Sequence, residues 1–294
     1  MTELAPQELR VLVAVAETGS FSAAARVLDV GQSAVSHSVR GSEVKVGAVL
    51  FERGRGGARP TPAGLRVVAL GRRILRLYEV LGAEARAAGR AAPGREEPAG
   101  VLRVAAFRSA ALHLLPPALE RLTARHPGIR PEVRVVREIG AGTAGEVAEG
   151  RADLGIATLG AADGVPPGLL SGELTVEAYS LVHPAGHPEP KGLPLLDWDE
   201  NCGSYTRAWW RAQDWIPRAT VKAEDDAMVL TMVGRGLGMA IMPALSLREA
   251  TDAVEIASLG PDGPVRRVGY VTTPELASSL AVRALIRELR AEKA

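Results

Sequence analysis

Apolar residues recur at helical spacing through the first ninety positions and then fall into short, block-like runs. Over residues 6–18, Leu9, Leu12, Val13 and Ala16 sit at i, i+3, i+4 and i+7, the signature of one buried helix face. Gly19 ends that helix, and Ser20 is a good N-cap for the next, which carries Ala23, Ala24, Val27 and Leu28. Asp29-Val30-Gly31 makes a turn. Ser33–Val46 is then predicted as a third helix, with Val35, Val39 and Val46 along one stripe. Ser42 falls in that stripe, so its hydroxyl needs an internal partner. Leu50, Phe51 and Glu52 predict a strand; Gly54, Gly56 and Gly57 a turn; Ala58 and Arg59 a return strand. Thr61 followed by Pro62 is a strong start signal for a long helix reaching about Arg90. Helix, turn, helix, glycine-rich hairpin, long helix is the order of a winged helix-turn-helix, which seats one helix in the DNA major groove.

Within the long helix, Val67, Leu70, Ile74, Leu77 and Leu81 repeat at 3-4-3-4 spacing, an a/d seam that predicts helix pairing between subunits. Gly71 and Gly82 weaken it as an independent zipper. Residues 89–100, GRAAPGREEPAG, read as a hinge. Beyond it, Val101–Ala106, Val133–Val136 and Leu154–Ala157 predict strands separated by helices, a βαβ alternation with a mostly parallel sheet. A second run has strands near Glu177–Val182, Thr220–Ala223 and Met239–Ile241. Val265–Val271 then returns, and a last helix starts at Thr273-Pro274 with the stripe Val282, Leu285, Ile286 and Leu289. Two α/β subdomains with crossovers near Ala161 and Pro261 would leave a ligand cleft between them. The expected fold class is α+β multidomain. Its domains are a winged helix-turn-helix over 1–61, a linker and dimerisation helix over 62–92, and a two-subdomain, periplasmic-binding-protein-like effector domain over 93–294. The last divides into subdomain I at about 100–160 and 265–294 and subdomain II at about 161–264.

Charge sharpens this picture. The net charge is only +1. Residues 1–95, however, hold 14 Lys and Arg against 8 Asp and Glu, and the remainder 21 against 26. A basic head on an acidic body is the footprint of a DNA-binding module. With 47% apolar and 23% charged residues, the composition is that of an ordinary globular protein. No apolar run reaches a membrane span, and the N-terminal MTELAPQELR lacks an export-like core, so a cytoplasmic protein is expected. Cys202 is the only cysteine, which excludes an intramolecular disulfide and a cysteine zinc site.

In the third helix Gln32, Ser33, Ser36, His37 and Arg40 are the candidates for base contacts, Gln for adenine and Arg for guanine or phosphate. Arg53, Arg55 and Arg59 flank the wing glycines and are candidates for backbone or minor-groove contacts. Residues 140–145, GAGTAG, fit G-x-G-x-x-G, with Asp163 about 20 residues on, as in a dinucleotide site. The following helix is short and Asp163 lies in a Gly/Pro-rich stretch, so neither NAD nor any other cofactor is expected. An enzyme of the doubly wound class would leave the basic head unexplained, and His113, His126, His183 and His187 have no metal-ligand spacing. A solute-binding protein would also leave the head unexplained. Trp209, Trp210 and Trp215 either wall an aromatic pocket or pack in a core.

FSAAARVLDVGQSAVSHSVRGSE, then LFERG, then PTPAG, resembles the head of the LysR-type transcriptional regulators. VLRVAAF with LLPPALERLTARHPG, GRADLGIA and VGRGLGMAIMP resemble segments of that family's body, so the resemblance covers essentially the whole chain. Gly31 stands where a Ser often opens the recognition helix, and Gly41-Ser42 replaces an Arg-Leu-like pair. The resemblance implies a non-enzymatic regulator of promoter DNA. It further implies a homodimer assembling as a dimer of dimers, contact with RNA polymerase, and a small-molecule effector, anionic or aromatic, in the cleft. Phe107, Arg108 and Ser109 after the first strand fit that effector role, as do the loop Ser204, Tyr205 and Thr206, Asp226 beside Asp225, and Gly140 of the glycine loop.

Overall fold

The computed structural model describes residues 3–54, 57–89, 97–160, 165–200 and 209–291. The chain divides into two compact units. One spans residues 1–100 with 148–152, and the other spans 101–147 with 153–294.

In the first unit, α1 (Pro6–Thr18), α2 (Phe21–Val27) and α3 (Gln32–Val46) precede a hairpin of β1 (Phe51–Gly54) and β2 (Gly57–Pro60). The long helix α4 (Pro62–Ala88) follows. Val11, Leu12, Val15, Ala24, Val35, Val39, Leu50, Phe51 and Val68 form the core. Ser20 caps α2 by accepting from the Ala23 N–H. Ser42, buried in the apolar stripe, finds its partner within its own helix and donates to the Ser38 carbonyl at 2.9 Å. Gly41 does not interrupt α3, and a Cβ there would meet open space. Gly31 opens α3 without a side-chain cap.

The Thr-Pro-Ala-Gly start of α4 is a joint as well as a cap. Thr61 Oγ1 accepts from the Gly64 N–H at 3.0 Å and donates to the Val49 carbonyl at 2.8 Å, while the Thr61 N–H donates to the Leu50 carbonyl. A Thr cap of this kind contributes about 1 kcal/mol. A Cβ at Gly64 would lie 2.0 Å from the Leu50 carbonyl oxygen, so only glycine admits the close approach.

The second unit carries β3 (Gly100–Ala106), α5 (Arg108–His113), α6 (Leu115–Arg125), β4 (Ile129–Val135), α7 (Gly142–Ala148), β5 (Leu154–Thr158) and β6 (Leu170–Pro184). Then come β7 (Leu195–Trp198), β8 (Ala219–Ala223), α8 (Asp226–Gly234), β9 (Ala240–Pro243), β10 (Val254–Ser258), β11 (Val265–Thr272), α9 (Pro274–Ala277) and α10 (Leu280–Arg290). The strand order is β10-β6-β11-β5-β3-β4, with β9 also on β6, and β7 pairs with β8 separately.

Three expectations are corrected. The main sheet is mixed, not mostly parallel. β3 and β5 are parallel, but β11 inserts antiparallel between β5 and β6, and β9 and β10 join β6 antiparallel. The first crossing between the two sheet blocks lies inside one extended strand rather than in a loop near Ala161. Leu170–Ala178 of β6 pairs with β11, while Tyr179–Pro184 pairs with β9 and β10. At about 3.3 Å per residue a strand of this length serves both blocks. The last helix is two helices, because Thr273 caps the first and Ser279 caps the second. Smaller shifts also occur: β4 occupies Ile129–Val135 rather than 133–136. Among the described residues no helix is long and apolar enough to cross a membrane.

Candidate nucleic-acid interface and ligand cleft

Val35 and Val39 bury one face of α3 in the head core, which fixes what the other face presents. Gln32, Ser33, His37 and Arg40 are exposed on it, and Ser36 is half-buried. Arg53 reaches across from β1 and donates to Ser36 Oγ at 3.2 Å. Its guanidinium also lies 4.3 Å from the centroid of the Phe21 ring, a cation–π contact that holds a cation otherwise free to sweep. Arg59 is exposed on β2, and Arg55 lies outside the described residues.

Two contacts that spacing does not reveal hold this surface in place. Glu43, on α3, accepts from the backbone N–H groups of Leu50 and Phe51 at 2.9 and 3.3 Å, tying the wing to the helix. Lys45 pairs with Glu8 of α1 at 2.7 Å. That ammonium and the Ala5 N–H hold the Glu8 carboxyl below its usual pKa.

On α4 the predicted seam divides. Val67 is half-buried and packs against the head core, and Leu77 is half-buried. Leu70, Ile74 and Leu81 are exposed, at 55%, 43% and 69%, with Tyr78 beside them.

In the second unit, residues after β3 face residues of the second sheet block. Arg108 donates through Nε to Asp226 Oδ1 at 2.5 Å and through Nη2 to Glu249 at 3.0 Å. Asp226 is only 6% exposed and also accepts from Ser246 Oγ at 2.5 Å. Burial pulls the Arg108 pKa down, but the bonds to Asp226 and Glu249 outweigh it and leave the guanidinium above its ordinary value. Asp225 is the cap of α8, accepting from the Met228 N–H at 2.8 Å.

Phe107 and Ser109 are buried, and Arg266 engages both. Its guanidinium lies 4.7 Å from the Phe107 ring and donates to Ser109 Oγ at 3.4 Å. Arg266 also pairs with Glu177 at 2.7 Å, and the second oxygen of Glu177 accepts from the Leu245 N–H at 2.6 Å. Glu177 and Arg266 are both buried, on β6 and β11 where the sheet passes between its blocks. A buried ion pair persists only when its remaining hydrogen-bonding capacity is also met, as here. Further along the same boundary, Arg137 donates to Glu200 at 2.9 Å, and Glu200 accepts from the Glu138 N–H at 3.2 Å.

The glycine-rich loop is filled from within. Glu138 accepts from the Thr143 N–H at 2.9 Å, from the Thr143 hydroxyl, and from the Thr158 N–H at 3.0 Å. Its carboxylate therefore sits at the start of α7, where a dinucleotide would place its pyrophosphate. Gly142, with φ of +49°, would bring a Cβ within 2.7 Å of that carboxylate. Gly140 is exposed beside it. Ser204, Tyr205, Thr206, Cys202 and Asp163 lie outside the described residues. Trp210 is buried, and Trp209 and Trp215 pack with it on a cluster of Tyr179, Leu181, Leu195, Met239 and Ile241. Among the described residues no group of His, Cys, Asp or Glu is arranged to hold a metal ion.

Two family models match this chain. "Bacterial regulatory helix-turn-helix protein, lysR family" covers residues 6–65, and "LysR substrate binding domain" covers residues 95–294. A Synechococcus elongatus protein named "Probable HTH-type transcriptional regulator LrrA" is 33% identical over 286 residues, 94% of this chain and 92% of that one. Full-length OxyR C199D of Pseudomonas aeruginosa superposes with a TM-score of 0.71 at 22% identity, covering 99% of this chain and 96% of that chain. Full-length CbnR, solved with its target DNA, gives 0.66 at 20% identity over 98% and 99% of the two chains. At such identities the structural likeness speaks to the fold, and the family models and the sequence relative speak to descent. The chain belongs to the LysR family and is a DNA-binding transcriptional regulator with a helix-turn-helix head and a C-terminal substrate-binding domain.

Proposed function

We propose that the regulator reads promoter DNA with Gln32, Ser33, Ser36, His37 and Arg40 of α3, and that Arg53, Arg55 and Arg59 of the wing grip the phosphate backbone or minor groove. The observation carrying this reading is the exposed polar face of α3 with Arg53 fixed at its edge by Ser36 and Phe21. Positioned cations of this kind supply the salt-dependent part of DNA affinity, and short polar side chains supply base discrimination. Residues 1–61 form the DNA-binding module, residues 62–92 pair subunits along Val67, Leu70, Ile74, Leu77 and Leu81, and residues 93–294 sense the effector. Subdomain I, at about 100–160 and 265–294, and subdomain II, at about 161–264, face each other across that effector site. The assembly is a homodimer, paired again into a dimer of dimers on DNA, that acts on RNA polymerase in the cytoplasm.

The effector enters between the two sheet blocks and is held by Phe107, Arg108, Ser109, Gly140 and Asp226, with Ser204, Tyr205 and Thr206 assigned to it from the sequence alone. It is an anionic or aromatic small molecule. An effector carboxylate competes with Glu249, the more exposed of the two acids on Arg108. The protein uses no cofactor and catalyses no reaction. The Glu138 carboxylate at the head of α7 argues against nucleotide chemistry in the glycine loop.

The test is binding of the purified protein to fragmented genomic DNA of its source at ~150 mM salt, near physiological screening. Recovery of a few sites with dyad-like repeats is the expected result. Weak, unselective binding at every salt concentration, with and without candidate effectors, would sink the proposal.

A further inference from the structure

A second concave site lies in the second sheet block, lined by β7, β8 and residues between 210 and 218. Leu195, Trp210, Ile216 and Pro217 make an apolar wall around a pocket of about 370 Å³. Arg211, Arg218 and Lys222 stand around it. Arg211 and Arg218 are exposed and have no acidic partner among the described residues. Lys222 is shared with Asp199 at 3.5 Å. Asp197 also lines the pocket, but it is buried and already partnered within the fold. The Trp210 indole N–H is buried and meets no acceptor among the described residues.

An aromatic and aliphatic wall next to two unpaired guanidinium groups has a definite complement. We propose that this pocket is a binding site for a compact aromatic carboxylate, its ring against Trp210, Ile216 and Pro217 and its carboxylate on Arg211 and Arg218. Guanidinium forks match carboxylates with two parallel hydrogen bonds, and the volume accommodates one or two fused rings. None of the residues that line the pocket is among those assigned above to the effector site. The two are joined by one short strand: Leu195 and Asp197 of β7 line the pocket, and Glu200, two residues past its end, holds Arg137 of the first sheet block. Lys222 lines the pocket while pairing with Asp199, the residue next to Glu200. A ligand that draws Lys222 toward its own carboxylate loosens that pair at the boundary between the blocks.

Calorimetric titration of the full-length protein with 1-naphthoate at ~150 mM salt tests this. A ligand of this size is expected to bind with a dissociation constant of about 1 mM or tighter. The Arg211→Ala/Arg218→Ala double variant should weaken it by about tenfold or more, whereas Arg130→Ala, at an exposed arginine of β4, should leave it unchanged. Uncharged 1-naphthamide should bind at least about tenfold more weakly than 1-naphthoate. No heat from 1-naphthoate at several millimolar would overturn the site. So would an affinity lost in Arg108→Gln but kept in the double arginine variant, or equal binding of the amide.

Discussion

Arg108 and Asp226 are 118 positions apart, yet the guanidinium of one meets the carboxylate of the other at 2.5 Å. Each is the first residue of its helix, α5 and α8, so the pair joins the two sheet blocks through their helix starts. Asp226 is nearly buried, and without Arg108 it keeps, among the described residues, only Ser246. Arg108→Ala should therefore cost about 3 kcal/mol in the unfolding of the second unit, the usual penalty for stranding a buried charge. Arg108→Ala/Asp226→Ala should cost less than the sum of the single variants. Denaturant titration checks both, and strict additivity would mean that the pair is not coupled.

Gly64 meets the Leu50 carbonyl so closely that an added methyl would sit 2.0 Å from its oxygen. Both atoms belong to backbone, so neither can turn aside. Gly64→Ala should destabilise the head by about 3 kcal/mol or more, abolishing DNA binding while leaving the unfolding of the second unit in place. A variant that binds DNA with wild-type affinity would show that the joint between wing and α4 tolerates movement.

Arg40 and Arg53 are both basic and exposed, but they should fail differently. Arg40→Ala should weaken binding to a recovered promoter site by ~1–3 kcal/mol and relax specificity at one base position. Arg53→Ala should weaken binding to specific and random DNA alike and lower the salt slope by about 1. Arg53→Lys keeps the charge but loses the fork that reaches Ser36 and stacks on Phe21, so it should fall between. Equal losses on both DNAs for Arg40→Ala would make it a phosphate contact.

The head was readable because its information is local. Caps, turns and the 3.6-residue period place α1 to α4 nearly residue by residue, and Ser42 was flagged by the stripe it interrupts. What spacing cannot carry is which distant charges meet. Nothing in the periodicity marks Glu8 for Lys45, Arg266 for Glu177 or Arg108 for Asp226. The mixed sheet was missed for a related reason: a short apolar strand looks the same in either direction, and β11 takes its place only when the end of the chain returns. The G-x-G-x-x-G loop shows the opposite error, a local signal whose meaning a neighbour cancels. Glu138 lies two residues before it and fills the position that a phosphate would need.

His113 offers a pH-dependent reading of the same region. Burial holds its pKa below the usual 6.5, and its buried Nε2 meets no partner among the described residues. The folded state therefore keeps the neutral ring, while the unfolded chain binds a proton more readily. Its contribution to stability is full above pH 6.5 and falls as the pH drops from there toward the folded value. Stability of the second unit should decline between pH 7 and 5.5, and His113→Gln should flatten that decline. An unchanged profile in the variant would assign the decline to other groups.

The last prediction concerns the stripe on α4. Leu70, Ile74 and Leu81 expose apolar surface in a line, and burying such side chains is worth roughly 1.5–3 kcal/mol each. A lone helix gains nothing from that arrangement; two copies facing each other do. Val67 is different, because it packs on the head core. Leu70→Glu and Leu81→Glu should therefore shift sedimentation toward a smaller species without unfolding the head, since a charge placed in a paired seam has no partner. Val67→Ala should do the reverse, lowering head stability by about 1 kcal/mol or more with the association state retained. If Leu70→Glu sediments as the wild type does, the subunits pair through another surface, and this stripe is exposed for a different reason.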